Sequence, residues 1–580
     1  MKQIIESTRA ALPRLLFLMT VAFLVIVARL FYLQIYQSAK LLQLSQHNCL
    51  RIEKVIPPRG EIVDCHGFLI ATNRPLVHLA WHGTGNRSFD EEQRTTLATL
   101  ETLFGYPLAN EVDLLPFERY GRDVYLANDL SFEQLSALLE KFPQNKNLYI
   151  KTDFKRFYPQ ATVACHVLGY LSGINYEPTG QMGLEKSYNE TLRGTPGLQL
   201  NTVNSVGRQI TSQEAQKALN GDTIVTTLDS NVQQIAERFF PATCDGSFIV
   251  MDAQTGALRV MVSHPLFDPN RFVNPLTPQE WQELQEEKPF LNRALSAAYP
   301  PASLFKLVTL ISALETDAVA QNSTWYCHGS ITFGNQVKHC MHREGHGFLT
   351  LQDAVAKSCN IVFYEMGKRL KIDTIAEYAH QLGLGEKTNI SLPEIPGLIP
   401  TTAWKKATFK QPWYPGDTLN VVIGQGYTLV TPLQICRMIN AICDGYLVTP
   451  RILEAEPIIR TPITISPKTL SFVRESMHRV IEHGTGQSLR MLKDVTIYGK
   501  TGTAQVRKLP QHGSLRMREK ADREHGFFAA YVRYKNYPPF VIVIFAEHVE
   551  SSTIAAHIAR DFLKEYFKYL DNQITSPSLE

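Results

Sequence analysis

The longest run of apolar positions in the chain lies near the amino terminus. It extends from Leu15 to Tyr36, and its only strongly polar interruptions are Arg29 and Gln34. This length matches the roughly 20 residues that an α-helix needs to cross the hydrocarbon core of a bilayer. The pattern therefore predicts a membrane-spanning helix over residues 15–36.

Basic residues precede this run, at Lys2, Arg9 and Arg14. Because such residues are retained on the cytoplasmic side, we expect residues 1–14 in the cytoplasm and the bulk of the chain outside. A cleaved signal peptide or a buried core helix gives a similar pattern. The run is long for the core of a signal peptide, however, and no small-x-small cleavage site follows it. The sequence therefore favours an uncleaved, single-pass anchor.

Two blocks that differ in their pattern of predicted strands and helices follow the anchor. Residues 45–225 mix short strand-like and helix-like segments, and within them 59–75 predicts a strand, a glycine turn and a second strand. We interpret this block as a separate domain without a catalytic signature of its own. Residues 226–570 form the second block, and 571–580 form a carboxyl-terminal tail.

In the second block, strand patterns stand at both ends and helix patterns lie between them. The segments are a hairpin over 247–263, helices over 303–315, 349–358, 360–370 and 554–570, and strands over 495–506, 525–534 and 540–548. This order predicts one antiparallel sheet with helices packed on it. The chain as a whole is then an α+β multidomain protein with one membrane helix.

Composition narrows the classes of function. Hydrophobic residues make up 44% of the 580 residues, which is too many for a disordered chain. The 58 Lys and Arg residues nearly balance the 55 Asp and Glu residues, so the sequence lacks the basic footprint of a nucleic-acid-binding domain. We therefore expect no nucleic-acid partner.

A candidate nucleophile stands where the helix over 303–315 is predicted to begin. Pro300 and Pro301 favour a helix start, and unpaired amides there would stabilise negative charge developing at Ser303. Lys306 shares a helix face with Ser303. Apolar neighbours would bury Lys306 and lower its pKa, so that its neutral amine could take the Ser303 proton. Taken alone, the pair is better explained as an N-cap serine and a surface lysine.

Two further motifs change that interpretation. Ser358 and Asn360 stand at a predicted break between two helices, where a hydroxyl can relay a proton and an amide can hold a peptide. The segment 500–503 follows a β-branched run and can receive an extended peptide that ends in a carboxylate. Its residues are Lys500, Thr501, Gly502 and Thr503. Each motif alone also fits ordinary structure, but the order Ser-x-x-Lys, Ser-x-Asn, Lys-Thr-Gly is the signature of serine β-lactamases and penicillin-binding proteins.

At these motifs the sequence resembles the class B penicillin-binding proteins, and in particular their elongation branch. The matching segments are 292–306, 345–367, 411–420, 423–434 and 499–506, with 59–67, 156–170 and 183–197 resembling the non-catalytic pedestal of the family. Ala302 stands where the family usually has glycine, and we expect little effect from one methyl group. The resemblance implies a membrane anchor, an elongated pedestal and a penicillin-binding transpeptidase domain.

The resemblance also implies a role for each motif residue. Ser303 would be the acylated nucleophile, Lys306 the general base and Ser358 the relay of a proton to the leaving D-Ala. Asn360 would hold the donor stem peptide, and the segment 500–503 would bind its terminal carboxylate. The backbone amides of the nucleophile and of Thr503 would form the oxyanion hole.

The same resemblance implies substrates, partners and location. The donor would be a peptidoglycan stem peptide ending in D-Ala-D-Ala, and β-lactams would trap the nucleophile by mimicking that end. Acyl transfer would need no cofactor. The implied partners are the membrane, a polytopic glycan-polymerising glycosyltransferase and a rod-shape scaffold. The protein would sit in the bacterial inner membrane with its bulk in the periplasm.

A separate set of residues offers metal ligands. Cys327, Cys340, His346 and Cys359 combine three thiolates with one imidazole, which suits structural zinc. Competing ligands nearby are His328, His339 and His342. Free, buried or oxidised cysteines explain the pattern about equally well. Members of the elongation branch carry zinc in this stretch, and that resemblance favours a zinc site that braces the Ser-x-Asn loop.

Other functions share parts of this signature. A D,D-carboxypeptidase, a β-lactamase or a division-type transpeptidase would carry the same three motifs, and the elongation assignment rests on the resemblance of 411–434. A non-catalytic β-lactam-binding sensor or scaffold would be expected to carry a cytoplasmic effector domain, whereas about 14 residues precede the apolar run. The sequence therefore favours a D,D-transpeptidase that acts in cell elongation.

Overall fold

The chain folds into two compact units in the computed structural model. The described residues are 2–108, 110–143, 145–172, 178–203, 209–273, 276–334, 336–505, 523–549 and 551–575. The first unit comprises residues 1–58, 73–155 and 194–221, and the second comprises 59–72, 156–193 and 222–580. Each unit is therefore assembled from segments that are separated in sequence.

The amino-terminal apolar run is helical. Helix Lys2–Phe31 continues through a π-helical turn, Tyr32–Tyr36, and is followed by helix Ser38–Cys49. The stretch Leu15–Tyr36 is 22 residues long with a mean hydropathy of 2.4, and its side chains are not buried against the rest of the protein. By length and composition this helix can cross a membrane.

The remainder of the first unit combines helices with short strands. Its helices are Glu91–Phe104, Glu111–Arg119 and Phe132–Lys141, and its strands, two of which extend beyond the unit in sequence, are Leu50–Val55, Leu69–His82, Asp123–Ala127, Leu148–Phe157, Gly197–Val203 and Gln209–Gln216. Strand Gly197–Val203 is the middle strand of a three-stranded antiparallel sheet. A separate core forms around the buried side chains of Leu79, Trp81 and Leu100.

The second unit is built on a five-stranded antiparallel sheet. Its strands are β1 (Gly246–Asp252), β2 (Leu258–His264), β3 (Val495–Ala504), β4 (Glu524–Tyr534) and β5 (Phe540–Val549). Their spatial order is β2-β1-β5-β4-β3, so β3 is an edge strand among the strands that the structure describes. Gly256, with a φ of +74°, lies in the turn of the β1–β2 hairpin. Strands from the two ends of the second unit thus pair in one sheet, as the pattern of apolar residues predicts.

Helices pack on both faces of this sheet. The helices of the second unit are Cys165–Leu168, Gly183–Ser187, Asn189–Arg193, Ser230–Phe239, Pro278–Glu287, Lys306–Glu315, Leu351–Ala356, Asn360–Gly367, Ile372–Gln381, Thr402–Phe409, Pro415–Val421, Pro432–Asp444, Pro467–His483 and Thr553–Thr575. Because side chains alternate along a strand, Phe248 and Val250 pack in one core with helix Thr553–Thr575. Ile249 and Met251 pack in the other core.

The remaining elements of the second unit are short. The strands are Ile62–Val63, Leu171–Ser172, Thr179–Gly180, Ile224–Val225, Thr324–Cys327, Ser330–Phe333, Gln336–His339, Gly347–Thr350, Tyr446–Val448 and Arg460–Pro462, and the 3-10 turns are Pro269–Val273, Ala302–Leu304 and Gln487–Leu489. The helix predicted over 303–315 begins only at Lys306, because the 3-10 turn precedes it. Part of the predicted tail, up to Thr575, continues the last helix, and Val506 of the predicted strand lies outside the described residues.

Three segments that resemble the family's pedestal meet in the second unit at a buried ion cluster. Arg59 Nε lies 2.6 Å from Glu185 Oε2, and Arg156 Nε lies 2.7 Å from Glu185 Oε1. Glu185 is fully buried, and Tyr158 Oη donates a further hydrogen bond to it over 3.3 Å. Because a buried charge is tolerated only when paired, the single carboxylate holds all three segments together.

Candidate active site

The predicted nucleophile lies in a 3-10 turn rather than in the α-helix itself. Ser303 is half-buried in the turn Ala302–Leu304, and helix Lys306–Glu315 follows after one residue. Its hydroxyl forms no hydrogen bond with another described residue. The reason for the turn is the backbone of Ala302, whose φ of +50° cannot be part of an α-helix.

A glycine on a neighbouring loop holds this turn in place. Ala302 N donates a hydrogen bond to Gly424 O over 2.9 Å. A Cβ atom at Gly424 would lie 2.1 Å from Ala302 O, so only glycine allows the two backbones to approach this closely. The loop that contains Gly424 therefore fixes the backbone immediately before the candidate nucleophile.

Lys306 is fully buried and points at the Ser-x-Asn motif. Its Nζ donates hydrogen bonds to Ser358 O over 2.8 Å, to Ser358 Oγ over 3.2 Å and to Asn360 Oδ1 over 2.7 Å. The amine also lies 5.4 Å from the centre of the Phe363 ring. The predicted break between two helices is present at this point: Ser358 has a φ of +53°, and Cys359 is the N-cap of helix Asn360–Gly367. A non-glycine residue in this conformation costs about 1–3 kcal/mol and is held there by its surroundings.

The Ser358 hydroxyl lies between two buried lysines. Lys500 Nζ donates a hydrogen bond to Ser358 Oγ over 3.0 Å, and Lys306 approaches the same oxygen as described above. Both lysines are fully buried. A second bond from Lys500 Nζ, to Thr501 O over 3.0 Å, fixes the side chain along β3. The structure thus brings together Lys306, Ser358, Asn360 and Lys500, which are separated by up to almost 200 positions in the sequence.

Burial lowers the pKa of both lysines. The pKa of Lys306 falls to about 8, an effect that the nearby Cys359 and Cys340 sulfurs oppose. The pKa of Lys500 falls well below its ordinary value, and the positive charge of Lys306 adds to the effect of burial. Because two ammonium groups on one hydroxyl oxygen repel each other, the pair gives up one proton more readily than isolated lysines do.

The edge strand β3 lies directly against the candidate nucleophile turn. A Cβ atom at Gly502 would lie 3.3 Å from Pro301 O and 3.4 Å from the Leu304 side chain. Thr501 is buried, whereas Thr503 is half-buried. An edge strand offers unpaired backbone groups to an extended peptide. An extended peptide bound along β3 would therefore lie near Ser303.

Sequence reasoning missed one residue that supports this strand. Thr485 Oγ1 and Thr501 Oγ1 share a hydrogen bond of 2.5 Å, and Thr485 N donates to Ala356 O over 3.2 Å. Thr485 thereby connects β3 with the end of helix Leu351–Ala356. Its sequence context, His-Gly-Thr-Gly, gave no signal of this contact because the partner lies on another element.

The four predicted metal ligands also come together. The ligand atoms of Cys327, Cys340, His346 and Cys359 all lie within 4.8 Å of one another. Cys340 Sγ is 3.8 Å from Cys359 Sγ, and His346 Nδ1 is 3.5 Å from Cys340 Sγ and 3.6 Å from Cys327 Sγ. Tetrahedral zinc with ordinary bond lengths places two sulfurs about 3.8 Å apart and a sulfur and a nitrogen about 3.6 Å apart. The cluster therefore has the dimensions of a closed Cys3His zinc site.

The contact between the two sulfurs lowers the pKa of Cys340 and raises the pKa of Cys359, so Cys340 is the first of the pair to become a thiolate. Burial lowers the pKa of His346, which favours the neutral imidazole. All nine cysteines of the chain are free in the structure. Asn360 Nδ2 donates to His339 O over 3.1 Å, so the motif residue touches the segment that carries Cys340.

Comparison with known protein families decides between the classes of serine enzyme. The model of the penicillin-binding protein transpeptidase domain matches residues 246–564, and that of the penicillin-binding protein dimerisation domain matches residues 54–226. The chain belongs to the penicillin-binding transpeptidase family. The first match contains all three motifs and all of β1 to β5.

Relatives within this family share most of the chain's length. The peptidoglycan D,D-transpeptidase MrdA of Acinetobacter baumannii is 28% identical, covering 97% of this chain and 88% of that protein. MrdA of Escherichia coli K12 is 27% identical, covering 96% of this chain and 93% of that protein. The similarity therefore includes the amino-terminal region and both matched domains.

Solved structures of the family agree with this architecture. Penicillin-binding protein PBP2 of Helicobacter pylori, in complex with MreC, superposes with a TM-score of 0.76 at 27% identity, covering 90% of this chain and 99% of that chain. A chain from a peptidoglycan synthase complex that coordinates polymerisation and cross-linking has a TM-score of 0.75 at 29% identity, covering 98% and 99%. The fold of this chain is thus the two-domain fold of class B penicillin-binding proteins.

The family's usual glycine before the nucleophile now has a physical explanation. At the φ of +50° that Ala302 adopts, glycine is free of strain, whereas alanine costs roughly 1–2 kcal/mol. The expectation that one methyl group has little effect was therefore incomplete, because the cost comes from the backbone conformation. The tight contact with Gly424 holds Ala302 in that conformation.

Proposed function

We propose that this chain is a serine-type peptidoglycan D,D-transpeptidase that cross-links stem peptides during cell elongation through an acyl-enzyme at Ser303. One observation carries the proposal. The Ser358 hydroxyl contacts both Lys306 and Lys500, beside the turn that contains Ser303 and the edge strand β3. In this proposal Ser303 is the nucleophile, Lys306 the proton acceptor, Ser358 the proton relay and Lys500 the cation for a carboxylate.

Acylation follows from this arrangement. With neutral Lys306, Ser303 Oγ attacks the carbonyl carbon between the two D-alanines and its proton passes to Lys306 Nζ. The backbone amides of Ser303 and Thr503 stabilise the oxyanion. The carbon–nitrogen bond then breaks, and the leaving D-Ala nitrogen receives a proton through Ser358 Oγ, which Lys306 reprotonates.

In the second half-reaction the protons move in the opposite direction. An amine of a neighbouring stem attacks the Ser303 ester carbon and loses its proton through the same relay, and Ser303 Oγ leaves as the restored hydroxyl. Lys500, Thr501 and Thr503 bind the terminal carboxylate, whose negative charge opposes the burial that lowers the pKa of Lys500 and so favours the charged lysine. Asn360 holds the donor backbone. Gly502 lets β3 pack closely against the turn that carries Ser303. A β-lactam enters as a mimic of D-Ala-D-Ala and stays on Ser303.

The proposed domain division fits an enzyme that is anchored in a membrane and acts at its surface. It comprises a cytoplasmic terminus (1–14), an anchor (15–36), a pedestal (45–225), a transpeptidase domain (226–570) and a tail (571–580). The bulk then lies in the periplasm, where peptidoglycan is assembled. The relatives in complex with MreC and in a peptidoglycan synthase complex support a rod-shape scaffold and a glycan-polymerising glycosyltransferase as partners.

The base assignment predicts how the rate depends on pH. Lys306 accepts a proton only in its neutral form, and burial places its pKa at about 8. The second-order rate constant for acylation by a penicillin should therefore rise with pH and level off above about 8. Stopped-flow measurement between about pH 6 and about pH 9 tests this expectation. A rate constant that stays level or falls across that range contradicts the role of Lys306.

We propose that Cys327, Cys340, His346 and Cys359 hold a structural zinc ion. Its role is to brace the segment that carries Ser358 and Asn360, and it takes no part in the acyl transfer. Purified protein should retain one tightly bound zinc ion per chain at this cluster, and Cys340→Ser should lose it together with most of the penicillin acylation rate. Cys244→Ser, which removes a cysteine outside the cluster, is the matched control. Equal zinc content and equal acylation in both variants would refute the site.

The function itself is tested by reconstituting cross-linking. Full-length protein supplied with nascent glycan strands and a glycan polymerase should release D-Ala and form cross-linked stems, and Ser303→Ala should form none. Release of D-Ala without cross-links would indicate a D,D-carboxypeptidase. Penicillin labelling without either product would favour a sensor or scaffold. In cells, loss of the activity should cause rounding, whereas filaments would indicate the division-type enzyme.

A further inference from the structure

A second group of metal-ligating side chains lies outside the serine site and the cysteine cluster. Cys65 and His66 follow the strand Ile62–Val63, and Asp229 directly precedes helix Ser230–Phe239. The three potential ligand atoms lie within 4.8 Å of one another. His66 Nε2 is 3.1 Å from Asp229 Oδ2. Two segments more than 160 positions apart in sequence thus converge on one point.

The backbone around these ligands is held firmly. The buried Asp64 carboxylate accepts hydrogen bonds from His66 N over 2.9 Å and from Ser230 Oγ over 2.6 Å. Cys65 N donates to Leu228 O over 2.9 Å. The residue before Cys65 and the residues on both sides of Asp229 therefore contact the opposite segment. Such support is what a preorganised ligand set requires.

The carboxylate of Asp229 is itself oriented by its neighbours. Its Oδ1 accepts hydrogen bonds from Asn231 N and Val232 N, each over 3.1 Å. Its Oδ2 accepts one from Tyr569 Oη over 3.0 Å and faces His66. Partners of this kind fix a metal ligand and tune its affinity.

We propose that Cys65, His66 and Asp229 form an exchangeable binding site for a divalent transition-metal ion of the zinc class. A thiolate, an imidazole and a carboxylate are the donors that such ions prefer. In a tetrahedral site the nitrogen and the oxygen would be about 3.3 Å apart, close to the observed 3.1 Å. Three protein ligands leave the fourth position for water, unlike the closed cluster at Cys327.

The exposure of the ligands distinguishes this site from the buried cluster. The His66 side chain is 41% exposed, and Cys65 is half-buried. Cys327, Cys340 and Cys359 are buried. An ion at the new site should therefore reach solvent directly and exchange faster. Its binding would join the loop after Ile62–Val63 to the start of helix Ser230–Phe239.

Metal content of the purified full-length protein tests the proposal. After equilibration with buffered zinc and removal of free ions, the double variant Cys65→Ser/His66→Asn should hold one zinc ion fewer per chain than wild type. Cys244→Ser, a half-buried thiol of the same unit, should match wild type. With cobalt(II), the difference spectrum between wild type and the double variant should show a single sulfur-to-cobalt band. The double variant should retain penicillin labelling, which shows that it is folded.

The two proposed metal sites give distinguishable results. Cys340→Ser should lose the slowly chelated ion, and the double variant should lose the rapidly chelated one. The proposal is overturned if the double variant binds as many zinc ions as wild type and its cobalt spectrum is unchanged. A double variant that loses the slowly chelated ion instead would also overturn it, because the lost ion would then belong to the buried cluster.

Discussion

Lys306→Met is expected to lower the rate of penicillin acylation about 10²–10⁴-fold, the contribution of a positioned general base. This corresponds to about 3–5 kcal/mol of transition-state stabilisation. Methionine keeps a long, apolar side chain in a fully buried position but provides no amine to accept the Ser303 proton. Ser358 Oγ would keep its hydrogen bond from Lys500, so the relay alone should not restore the rate. Rapid-mixing kinetics with a chromogenic β-lactam measures the change.

A neighbouring lysine provides the control for Lys306→Met. Lys357 is exposed and directly precedes Ser358, so Lys357→Met removes a positive charge from the same region without removing the proposed base. Its acylation rate should stay within a few-fold of wild type. A Lys306→Met protein with an unchanged melting temperature and an acylation rate within tenfold of wild type would contradict the base assignment.

Glu185→Ala is expected to destabilise the second unit by about 3–5 kcal/mol, because it leaves buried charges without their partner. Arg59 and Arg156 both depend on this carboxylate, and the two guanidinium groups would then repel each other in a site closed to water. Glu185→Gln should cost less, since the amide oxygen still accepts one hydrogen bond. Denaturant unfolding of the penicillin-labelled protein in detergent measures the change in the free energy of unfolding of the second unit.

The matched control for Glu185 lies five residues further on. Glu190 Oε2 pairs with Arg193 over 2.6 Å, but the Glu190 side chain is 74% exposed. Glu190→Ala should therefore change the free energy of unfolding by less than about 1 kcal/mol. If both substitutions had equally small effects, the buried cluster would not hold its three segments together.

The strands and the three motifs could be predicted from sequence because their signals are local. The apolar run of β1 and the spacing from Ser303 to Lys306 are read within a few residues, and the break at Ser358 separates two recognisable helices. The helix start was placed three residues early, because the positive φ of Ala302 is imposed by Gly424. A local sequence pattern does not indicate the contact between Ala302 and Gly424, which are 122 positions apart.

The ion cluster and the Thr485 contact could not be predicted for a related reason. Arg59 and Glu185 are separated by 126 positions, and nothing in the sequence around either residue identifies its partner. Thr485 is one of many threonines until the fold brings it to Thr501. The grouping of Cys327, Cys340, His346 and Cys359 was predictable because soft donors are rare and occurred together in the sequence. Long-range pairing between common residue types depends on the fold as a whole.

Mass spectrometry of the penicillin adduct tests whether Ser303 forms the covalent bond with the substrate. Full-length protein is treated with a penicillin, digested with protease, and its peptides are sequenced by mass spectrometry. We predict a single adduct mass on Ser303, absent from Ser303→Ala. An adduct on another residue, or equal labelling of Ser303→Ala, would contradict the assignment of Ser303 as the nucleophile.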